Sequence, residues 1–512
     1  MADPWANPER EHAGEAGRDA GTSGTGADLH LDLSGTGTRR AALTRALRDA
    51  ICSGRLAPGT RLPPSRTLAA DLGLARNTVA SGYAELVAEG WLTARQGSGT
   101  HVAQRSEPVR AGPRITVPPP GGAGGPRAVD RVDHDLGTGK PDASSFPRQA
   151  WLTSARRALA GAPAEAFGFG DPRGRPELRR ALAGYLARVR GVRADPERIV
   201  VCGGVAQGLA LLARVLPRET AVEEYGLWLH RDLLTAGGVR TRPLPVDADG
   251  ACTPGLTRLP SVRAVLLTPA HQYPTGVPLH PDRRAAVVDW ARGTGGLVLE
   301  DDYDGEFRYD RRPVGALQSL DPERVVYLGT SSKSLSPALR IAWMVLPRHL
   351  LEAVTAATTA AEWTVGITDQ LTLADFLERG AYDKHVRAMR QRYRLRRDRL
   401  VAAVGARAPG VRLTGIAAGL HAVLRLPDGV EESTVLAAAA RRGVGLDLLS
   451  RFRHPGACSE GRPARPAVIV GYGAPSEHAY TGALDALCRV LEETTGARRV
   501  QRPHRSRGDR DR

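Results

Sequence analysis

The stretch that decides the fold reads LEDDYDGEF at 299–307 and RVVYLGTSSKSLSPALR at 324–340. Asp301 and Tyr303 come two residues apart at the end of an apolar run, and residues two apart in a strand face the same way. Lys333 follows a second apolar run through a turn of small residues, and an arginine comes seven residues later. A lone lysine in a loop is usually a solvated charge. All these side chains together, at the ends of two strands, indicate a functional site.

Apolar strand-like runs alternate with helical patterns over most of the chain, from about 135 to 496. Examples are RIVVCGG (198–204) before VAQGLALLARVL (205–216), and VRAVLLTP (262–269) before HPDRRAAVVDWARG (280–293). This alternation predicts an α/β domain with a mostly parallel sheet and helices on both faces. Ligands of such sheets bind beyond the carboxyl ends of the strands, where Asp301 and Lys333 lie. The Gly203-Gly204 turn opens a helix, and a helix N-terminus offers free N–H groups to a phosphate.

The N-terminal part has a different pattern. Ala42, Leu43, Leu47 and Ile51 recur at helical spacing. Ser65 is the expected N-cap of a short helix, and Gly73 is its expected stop. A second helical pattern covers 76–89, and two short β-like runs, 91–94 and 100–102, flank a Gly-Ser-Gly turn. This order of elements predicts a winged helix-turn-helix.

In a winged helix-turn-helix, the second helix of the motif enters the major groove and its first residues contact base edges. Arg76, Asn77 and Thr78 occupy those positions, and arginine and asparagine side chains are suited to guanine and adenine. Three further arginines are placed for phosphate contacts, which position a protein on DNA without specifying sequence: Arg61, Arg66 and Arg95. An ordinary three-helix domain with a solvated basic face remains the alternative at this point.

Composition limits the possible classes of protein. A chain of 512 residues should contain two or more domains. Its net charge is +16, and residues 39–105 contain ten Lys/Arg against four Asp/Glu, which suits phosphate contacts. The five cysteines include no C-x-x-C pair, so neither a disulfide framework nor a metal site is expected. No apolar run is long enough to cross a membrane, and the N-terminus lacks a signal pattern; we therefore expect the cytoplasm and no membrane partner.

The α/β region resembles the fold type I aminotransferases. With the N-terminal module, the chain is similar to the MocR subgroup of GntR-type transcription regulators over roughly residues 39 to 490. The specific motifs are HQYPTG (271–276), EDDYDGEFRY (300–309) and GTSSKSL (329–335). The resemblance implies that pyridoxal 5′-phosphate (PLP) is held as a Schiff base on Lys333, the catalytic lysine of the fold. The implied cofactor-binding residues are Gly204, Val205, Ala206, Tyr273, Asp301, Tyr303, Thr330, Ser332, Lys333 and Arg340.

The resemblance also assigns roles to these residues. Asp301 would keep the ring nitrogen protonated, and Tyr303 would contact the ring's 3-oxygen. Arg340 and the Thr330 hydroxyl would hold the phosphate, since arginine matches phosphate oxygens bidentately. Together with composition and periodicity along the chain, the resemblance predicts five segments: a disordered leader at 1–36, a winged helix-turn-helix at 37–103, a Pro/Gly-rich linker at 104–134, an aminotransferase-like domain at 135–496 and a disordered basic tail at 497–512.

Three positions depart from the aminotransferase pattern. Tyr273-Pro274-Thr275-Gly276 stands where aminotransferases have N-P-x-G, so the asparagine is absent and the Tyr273–Pro274 bond is expected to be cis. The residue that stacks on the cofactor ring falls on Leu227 or Trp228. The arginine for a substrate carboxylate is not identified, and Arg462 and Arg465 are only candidates.

These features predict a PLP-binding, DNA-binding transcription regulator. The winged helix would bind an operator in double-stranded DNA, and the aminotransferase-like domain would form a homodimer and sense PLP or an amino compound. Two alternatives stay open. The chain could be a working PLP-dependent aminotransferase with an accessory DNA-binding domain, or a cofactor-free scaffold that dimerises the DNA-binding module.

Overall fold

The computed structural model describes residues 31, 33, 38–95, 99–104, 132–309, 314–361, 364–457 and 465–496. The predicted tail, nearly all of the predicted leader and most of the predicted linker lie outside these residues. The chain divides into two compact units between Gly125 and Pro126, and each is described by itself. In the described part of the chain, no helix combines the length and the apolar character needed to cross a membrane.

The first unit consists of three helices and a two-stranded hairpin. Its elements are α1 (Arg39–Cys52), α2 (Ser65–Asp71), α3 (Arg76–Ala88), β1 (Leu92–Arg95) and β2 (Gly99–Val102). Thr38 caps α1 by accepting a hydrogen bond from the N–H of Ala41. Gly82 of α3 faces α1, and a Cβ at this position would be in ordinary van der Waals contact with Leu43 at 3.4 Å. Strands β1 and β2 pair antiparallel. The predicted winged helix-turn-helix is confirmed.

One local expectation in this unit is wrong. Ser65 does not cap α2; the capping residue is Pro64, and no side chain makes a cap hydrogen bond. Pro64 is extended (φ −54°, ψ 145°), and Ser65 is already the first helical residue, because the proline ring fixes φ just before the helix. Gly73 takes the positive φ (63°) expected of the residue after a helix end.

The second unit is an α/β domain with two sheets. Its helices are α4 (Arg148–Ala160), α5 (Pro176–Arg190), α6 (Val205–Leu212), α7 (Trp228–Ala236), α8 (Pro281–Thr294), α9 (Arg348–Ala360), α10 (Ile367–Glu378), α11 (Ala381–Arg407), α12 (Glu432–Arg441) and α13 (Glu477–Gly496). Its strands are β3 (His134–Asp135), β4 (Ile199–Cys202), β5 (Glu219–Glu223), β6 (Arg240–Leu244), β7 (Val246–Asp247), β8 (Gly250–Ala251), β9 (Ala264–Leu267), β10 (Leu297–Asp302), β11 (Val325–Thr330), β12 (Ala342–Val345), β13 (Arg412–Thr414), β14 (His421–Arg425), β15 (Val444–Gly445), β16 (Asp447–Leu448) and β17 (Ala467–Gly471). The last residue of the predicted linker, His134, belongs to β3.

A seven-stranded sheet forms the centre of this unit. Its order is β4-β12-β11-β10-β9-β5-β6, and β12 runs antiparallel to both its neighbours while the other neighbouring pairs are parallel. Strands β10 and β11 are buried along their whole length, so their near-continuous apolar runs are those of a sheet covered on both faces. The mostly parallel α/β fold predicted from the alternating pattern is confirmed.

A smaller antiparallel sheet, β13-β14-β17-β16, packs against helices from the C-terminal part of the chain. Its core includes buried side chains from α11, α12 and α13, such as Tyr393, Val435 and Leu487. Strand β14 begins at His421, which is buried and whose ring lies 5.3 Å from the ring of Tyr273.

Candidate cofactor site and DNA-binding surface

The two strands that carry the quoted motifs are neighbours. Strands β10 and β11 pair in parallel, with Asp301 opposite Leu328, so their carboxyl ends open at the same edge of the sheet. Asp301 is near the end of β10, and Lys333 comes three residues after β11 ends at Thr330. The parallel register therefore brings an acid and an amine that are 32 residues apart in the sequence to one cavity.

All ten predicted cofactor-binding residues line this cavity, which has a volume of about 310 Å³. That size is at the lower end of the range for small-molecule sites. The cavity is closed on other sides by residues that the sequence did not single out, among them Thr138, Gly139, Glu223, His230 and Arg231. One pocket thus collects residues from the ends of several strands and the starts of two helices.

Lys333 is held by a backbone group. Its Nζ donates to the carbonyl oxygen of Gly139 at 2.5 Å. Burial lowers the pKa of the amine, and the nearby carboxylates of Asp301 and Asp304 oppose that effect. A lowered pKa increases the fraction of neutral amine, which is the form that attacks a carbonyl carbon.

Asp301 is the least satisfied polar group of the cavity. It is buried, and its Oδ1 has no hydrogen-bond partner among the described residues. Burial, followed by the negative charge of Asp302, raises its pKa to about 8. The nearest ring nitrogen, Nδ1 of His230, is 3.8 Å from Oδ2, and burial lowers the pKa of that histidine to about 4. An unpartnered carboxylate aimed into a cavity fits a ligand that brings a cationic N–H.

Gly204, at the start of α6, and Arg340 form a candidate phosphate cradle. Gly204 precedes this helix with φ 113°, and a Cβ on it would lie 2.6 Å from Nη2 of Arg340. Only glycine allows the guanidinium to approach the helix N-terminus this closely. Arg340 itself has a left-handed backbone (φ 53°), which is uncommon outside glycine. An arginine beside free helix N–H groups fits a phosphate dianion.

The remaining predicted residues border the same cavity. The Thr330 hydroxyl donates to Oγ of Ser332 at 2.9 Å, and both line the wall near Lys333. Tyr303 and Tyr273 meet edge to face, with ring centroids 5.5 Å apart. The Tyr273 hydroxyl lies 2.7 Å from Oγ1 of Thr138. The Tyr273–Pro274 bond is cis, as predicted from the motif.

Of the residues expected to stack on the cofactor ring or to bind a substrate carboxylate, only some line the cavity. Of the two candidates for stacking, Leu227 lines the cavity, whereas Trp228 is 44% exposed and does not. Arg465 is exposed and does not line the cavity, and Arg462 lies outside the described residues. Arg231 does line it, but its guanidinium donates to the carbonyl oxygens of Gly226 and Phe452.

Four of the predicted DNA-contacting residues are exposed at the surface of the first unit. Arg76 and Asn77 are exposed in the first turn of α3, and Thr78 is half-buried beside them. Arg61 and Arg66 are also exposed. Residue 61 forms a β-bridge with His101 of the hairpin, which places it next to the wing. The backbone of Arg95 is at the end of β1, and its side chain lies outside the described part of the structure.

Sequence reasoning missed several groups around the cavity. Gly139 is 194 residues from Lys333, so only the fold brings them together. His271 belongs to the HQYPTG motif, which assigns it no role, although its Nδ1 is 3.0 Å from the Tyr303 hydroxyl. His230 follows Leu227 by three residues, which is about one helical turn, and this spacing could have placed it at the same cavity.

Two family profiles match the chain. Residues 40–102 match the family described as bacterial regulatory proteins, gntR family. Residues 133–447 match the family described as aminotransferase class I and II. The boundary between the two matches falls between the compact units of the structure.

Relatives of nearly full length also match. The chain is 34% identical over 448 residues to the probable rhizopine catabolism regulatory protein MocR of Rhizobium meliloti, covering 84% of this chain and 89% of that protein. It is 32% identical over 463 residues to the pyridoxine biosynthesis transcriptional regulator PdxR of Corynebacterium glutamicum, covering 89% and 95%. An archaeal alanine:glyoxylate aminotransferase aligns with a TM-score of 0.64 and 25% identity, covering 70% of this chain and 91% of that structure.

Proposed function

The chain belongs to the MocR-type branch of the GntR transcription regulators, and we propose that this DNA-binding regulator holds PLP on Lys333 and uses it to sense a small molecule. We further propose that it acts in the cytoplasm as a homodimer on an operator that Arg76 and Asn77 read. The effector would be PLP itself or an amino compound that reacts with it.

One observation carries the cofactor proposal: the buried Oδ1 of Asp301 lacks a partner in the same cavity that holds the amine of Lys333. A buried, unpaired carboxylate is costly unless a ligand satisfies it. The pyridine nitrogen of PLP, when protonated, is such a ligand. The Gly204–Arg340 cradle supports the same proposal, because it suits the phosphate at the other end of the molecule.

Each side chain has a defined task in this proposal. Bound PLP supplies an electrophilic carbon that captures amines and an electron-withdrawing ring. Lys333 would supply the amine that holds it, and Gly139 would orient that amine. Asp301 would keep a proton on the ring nitrogen, while Tyr303 would face the ring's 3-oxygen. Thr330, Ser332 and Arg340 would bind phosphate oxygens.

The use of lysine in this chain supports the assignment. Only three of its 71 Lys/Arg residues are lysines, namely Lys140, Lys333 and Lys384. Arginine serves nearly all other cationic positions, but it stays protonated in proteins and does not act as an amine nucleophile. The one lysine that lines the cavity is therefore at a position where arginine could not do the same chemistry.

A working aminotransferase is the second candidate, because the cavity keeps an amine, an acid partner and a phosphate cradle. The described residues of the cavity include no arginine free to bind a substrate carboxylate: Arg231 is engaged by backbone carbonyls, and Arg340 lies at the phosphate cradle. A half-reaction assay with a panel of amino acids distinguishes the two. A regulator should convert little bound cofactor to the amine form, whereas a transferase should convert all of it within seconds.

The regulatory proposal is tested by DNA binding of the full-length protein at fixed salt. The probe is a fluorescent duplex from the region upstream of the protein's own gene. Addition of PLP should change the dissociation constant about 5- to 150-fold, the usual range of allosteric coupling. Lys333→Ala should bind the duplex with or without PLP to the same extent. Equal affinities of the wild-type protein with and without PLP would contradict sensing of PLP and leave an amino compound to be tested in the same assay.

A further inference from the structure

Beside Tyr303, two buried polar side chains form a pair. His271 lies in the segment after β9, and Asp304 lies two residues after the end of β10; each is only 3% exposed. Nδ1 of His271 is 2.9 Å from Oδ2 of Asp304 and 3.0 Å from the Tyr303 hydroxyl. The three groups therefore meet at one point, next to a predicted cofactor-binding residue.

The fold leaves room for this pair by using a glycine. Gly419 has φ 70°, and a Cβ on it would lie 2.4 Å from Cε1 of His271 and 2.5 Å from Oδ2 of Asp304. The ring of His421 lies 5.1 Å from that of His271, and its Nε2 is 3.0 Å from the carbonyl oxygen of Pro274. His271 and Asp304 are thus fixed by close packing as well as by their own hydrogen bond.

Hydrogen-bond chemistry restricts where the protons lie. An ionised Asp304 only accepts, so Nδ1 of His271 must carry a proton and donate it. That nitrogen can then accept nothing from Tyr303. The hydroxyl of Tyr303 can then donate its proton to one of two acceptors. These are the Asp304 carboxylate and an oxygen of a ligand in the cavity. The pair therefore controls which direction the phenol donates.

We propose that Asp304 and His271 are positioning residues that direct the Tyr303 hydroxyl proton and so set the pH at which the cofactor bound on Lys333 gains or loses a proton. This inference rests on the proposed function, because it concerns a cofactor held at that lysine. In this proposal, the His271–Asp304 pair acts through Tyr303 in place of the asparagine contact that the Tyr273-Pro274-Thr275-Gly276 turn lacks.

Several other titratable groups lie around the same cluster and stay unchanged in each variant tested. They are Tyr273, Asp301, Glu306, Tyr309, Lys333, His421 and Tyr472, with Glu223, His230 and Asp302 next to Asp301. Asp304 is among the charges that favour the protonated form of Lys333. Its removal should therefore disfavour a proton on the cofactor linkage.

A metal ion is the competing occupant of this cluster. His271, Asp304 and His421 place ligand-type atoms within 4.8 Å of one another. Each of the three side chains, however, already has a hydrogen-bond partner, and Nε2 of His421 is directed at a backbone carbonyl. Hydrogen bonding accounts for the arrangement without an ion. Elemental analysis of the purified protein decides between them, since one equivalent of a transition metal per chain would overturn the proposal.

The main experiment is a pH titration of the absorbance band of the bound cofactor between 330 and 430 nm, a range characteristic of PLP linkages. Asp304→Asn should lower the midpoint by about one pH unit, because Asp304 is one of the charges that act on Lys333 and the loss of a nearby opposite charge typically moves a pKa by ~1–3 units. The freed Tyr303 proton would point into the cavity and act in the same direction. Asp375→Asn, which removes the partner of Arg157 outside the cavity, should leave the midpoint unchanged.

The histidine is tested by a matched pair. His271→Asn keeps an N–H donor close to the position of Nδ1 and should keep the wild-type midpoint, whereas His271→Leu should move it. In a Tyr303→Phe background, Asp304→Asn should have a clearly smaller effect, because coupled residues are non-additive. His271→Leu serves as the test if Asp304→Asn does not bind the cofactor.

The outcomes separate the two proposals. If the wild-type protein shows no cofactor band, the proposed function fails. If the wild-type band is present but Asp304→Asn and His271→Leu titrate as wild type, only the positioning role fails. An undiminished Asp304→Asn shift in the Tyr303→Phe background would show that Asp304 does not act through the tyrosine, which also overturns the proposal.

Discussion

The two sides of the cavity differ in the functional groups that they contain. The holding side, made of Gly204, Asp301, Lys333 and Arg340, has an amine, a carboxyl group whose Oδ1 lacks a partner, and the proposed phosphate cradle. The recognition side has an aliphatic Leu227 where an aromatic ring would stack. In the described part of that side, the arginine that lines the cavity is bound to backbone carbonyls.

This contrast shows how one fold can serve two purposes. Binding a cofactor tightly needs groups that match its fixed chemistry, whereas turnover needs groups that bind a substrate and its transition state. Under the proposed function, a site with the first set and without the second would still respond to a small molecule. The response would then appear in the DNA-binding module rather than in a product.

The largest effect should come from removing the amine of the holding side. Lys333→Ala should lose the 330–430 nm band of bound cofactor completely, because no covalent linkage can form. DNA binding should persist, since the winged helix is a separate compact unit. Absorbance and DNA anisotropy measure both effects on the same sample. Lys384→Ala, which removes an exposed lysine of α11, is the control and should keep the band.

A second change weakens the holding side while stabilising the empty protein. Asp301 has a folded-state pKa of about 8, above its unfolded value, so the neutral form stabilises the fold at low pH and that stability is lost as pH rises toward 8. The loss amounts to up to about 1.4 kcal/mol per pH unit. Cofactor-free Asp301→Asn should therefore gain in unfolding temperature over wild type from pH 5 to pH 8. A constant difference would show that Asp301 is ionised in the folded protein throughout.

A substitution in the DNA-binding unit should change operator binding and leave cofactor binding in the cavity unchanged. Arg76→Ala should weaken operator binding by ~1–3 kcal/mol if Arg76 contacts a base. It should also reduce the preference for the operator over scrambled DNA, and the cofactor band should not change. Arg66→Ala is the matched control: as a phosphate contact it should weaken both duplexes alike. Equal discrimination in the Arg76→Ala and wild-type proteins would place the reading residues elsewhere.

The smallest effect should come from repairing the recognition side. Leu227→Tyr introduces an aromatic ring into the cavity wall and should tighten PLP binding by about 0.5–1.5 kcal/mol, the value of a favourable ring contact. The affinity is measured from cofactor-dependent absorbance after dialysis. Trp228→Tyr, at a position that does not line the cavity, should have no effect. Weaker binding by Leu227→Tyr would mean that the aliphatic side chain is fitted to the site.

The sequence predicted the holding side because each of its residues follows a recognisable local element. Asp301 ends an apolar run, Lys333 follows a small-residue turn, and Gly204 precedes a helix; such signals are contained within a few residues. It did not predict the Gly139 carbonyl or the His271–Asp304 pair, because these contacts join segments that only the fold brings together. Ser65 failed as a cap for a local reason, since Pro64 takes that position.

The residues of the recognition side were also difficult to predict from the sequence, and the reason is physical. A stacking residue and a carboxylate-binding arginine have no strict local pattern, because many positions around a cavity can supply them. Two candidates were named for each, and the structure places Leu227 in the wall and leaves Trp228 and Arg465 out of it. Which residues meet a ligand on this side depends on tertiary packing rather than on spacing.

The central claim is that PLP is held by Lys333, and the three lysines of the chain make its test direct. The full-length protein is incubated with PLP, reduced with borohydride, digested and mapped for pyridoxyl-lysine. We expect one modified position, Lys333, with Lys140 and Lys384 unmodified as internal controls. Modification confined to Lys140 or Lys384, or no stable adduct at any of the three, would contradict the account.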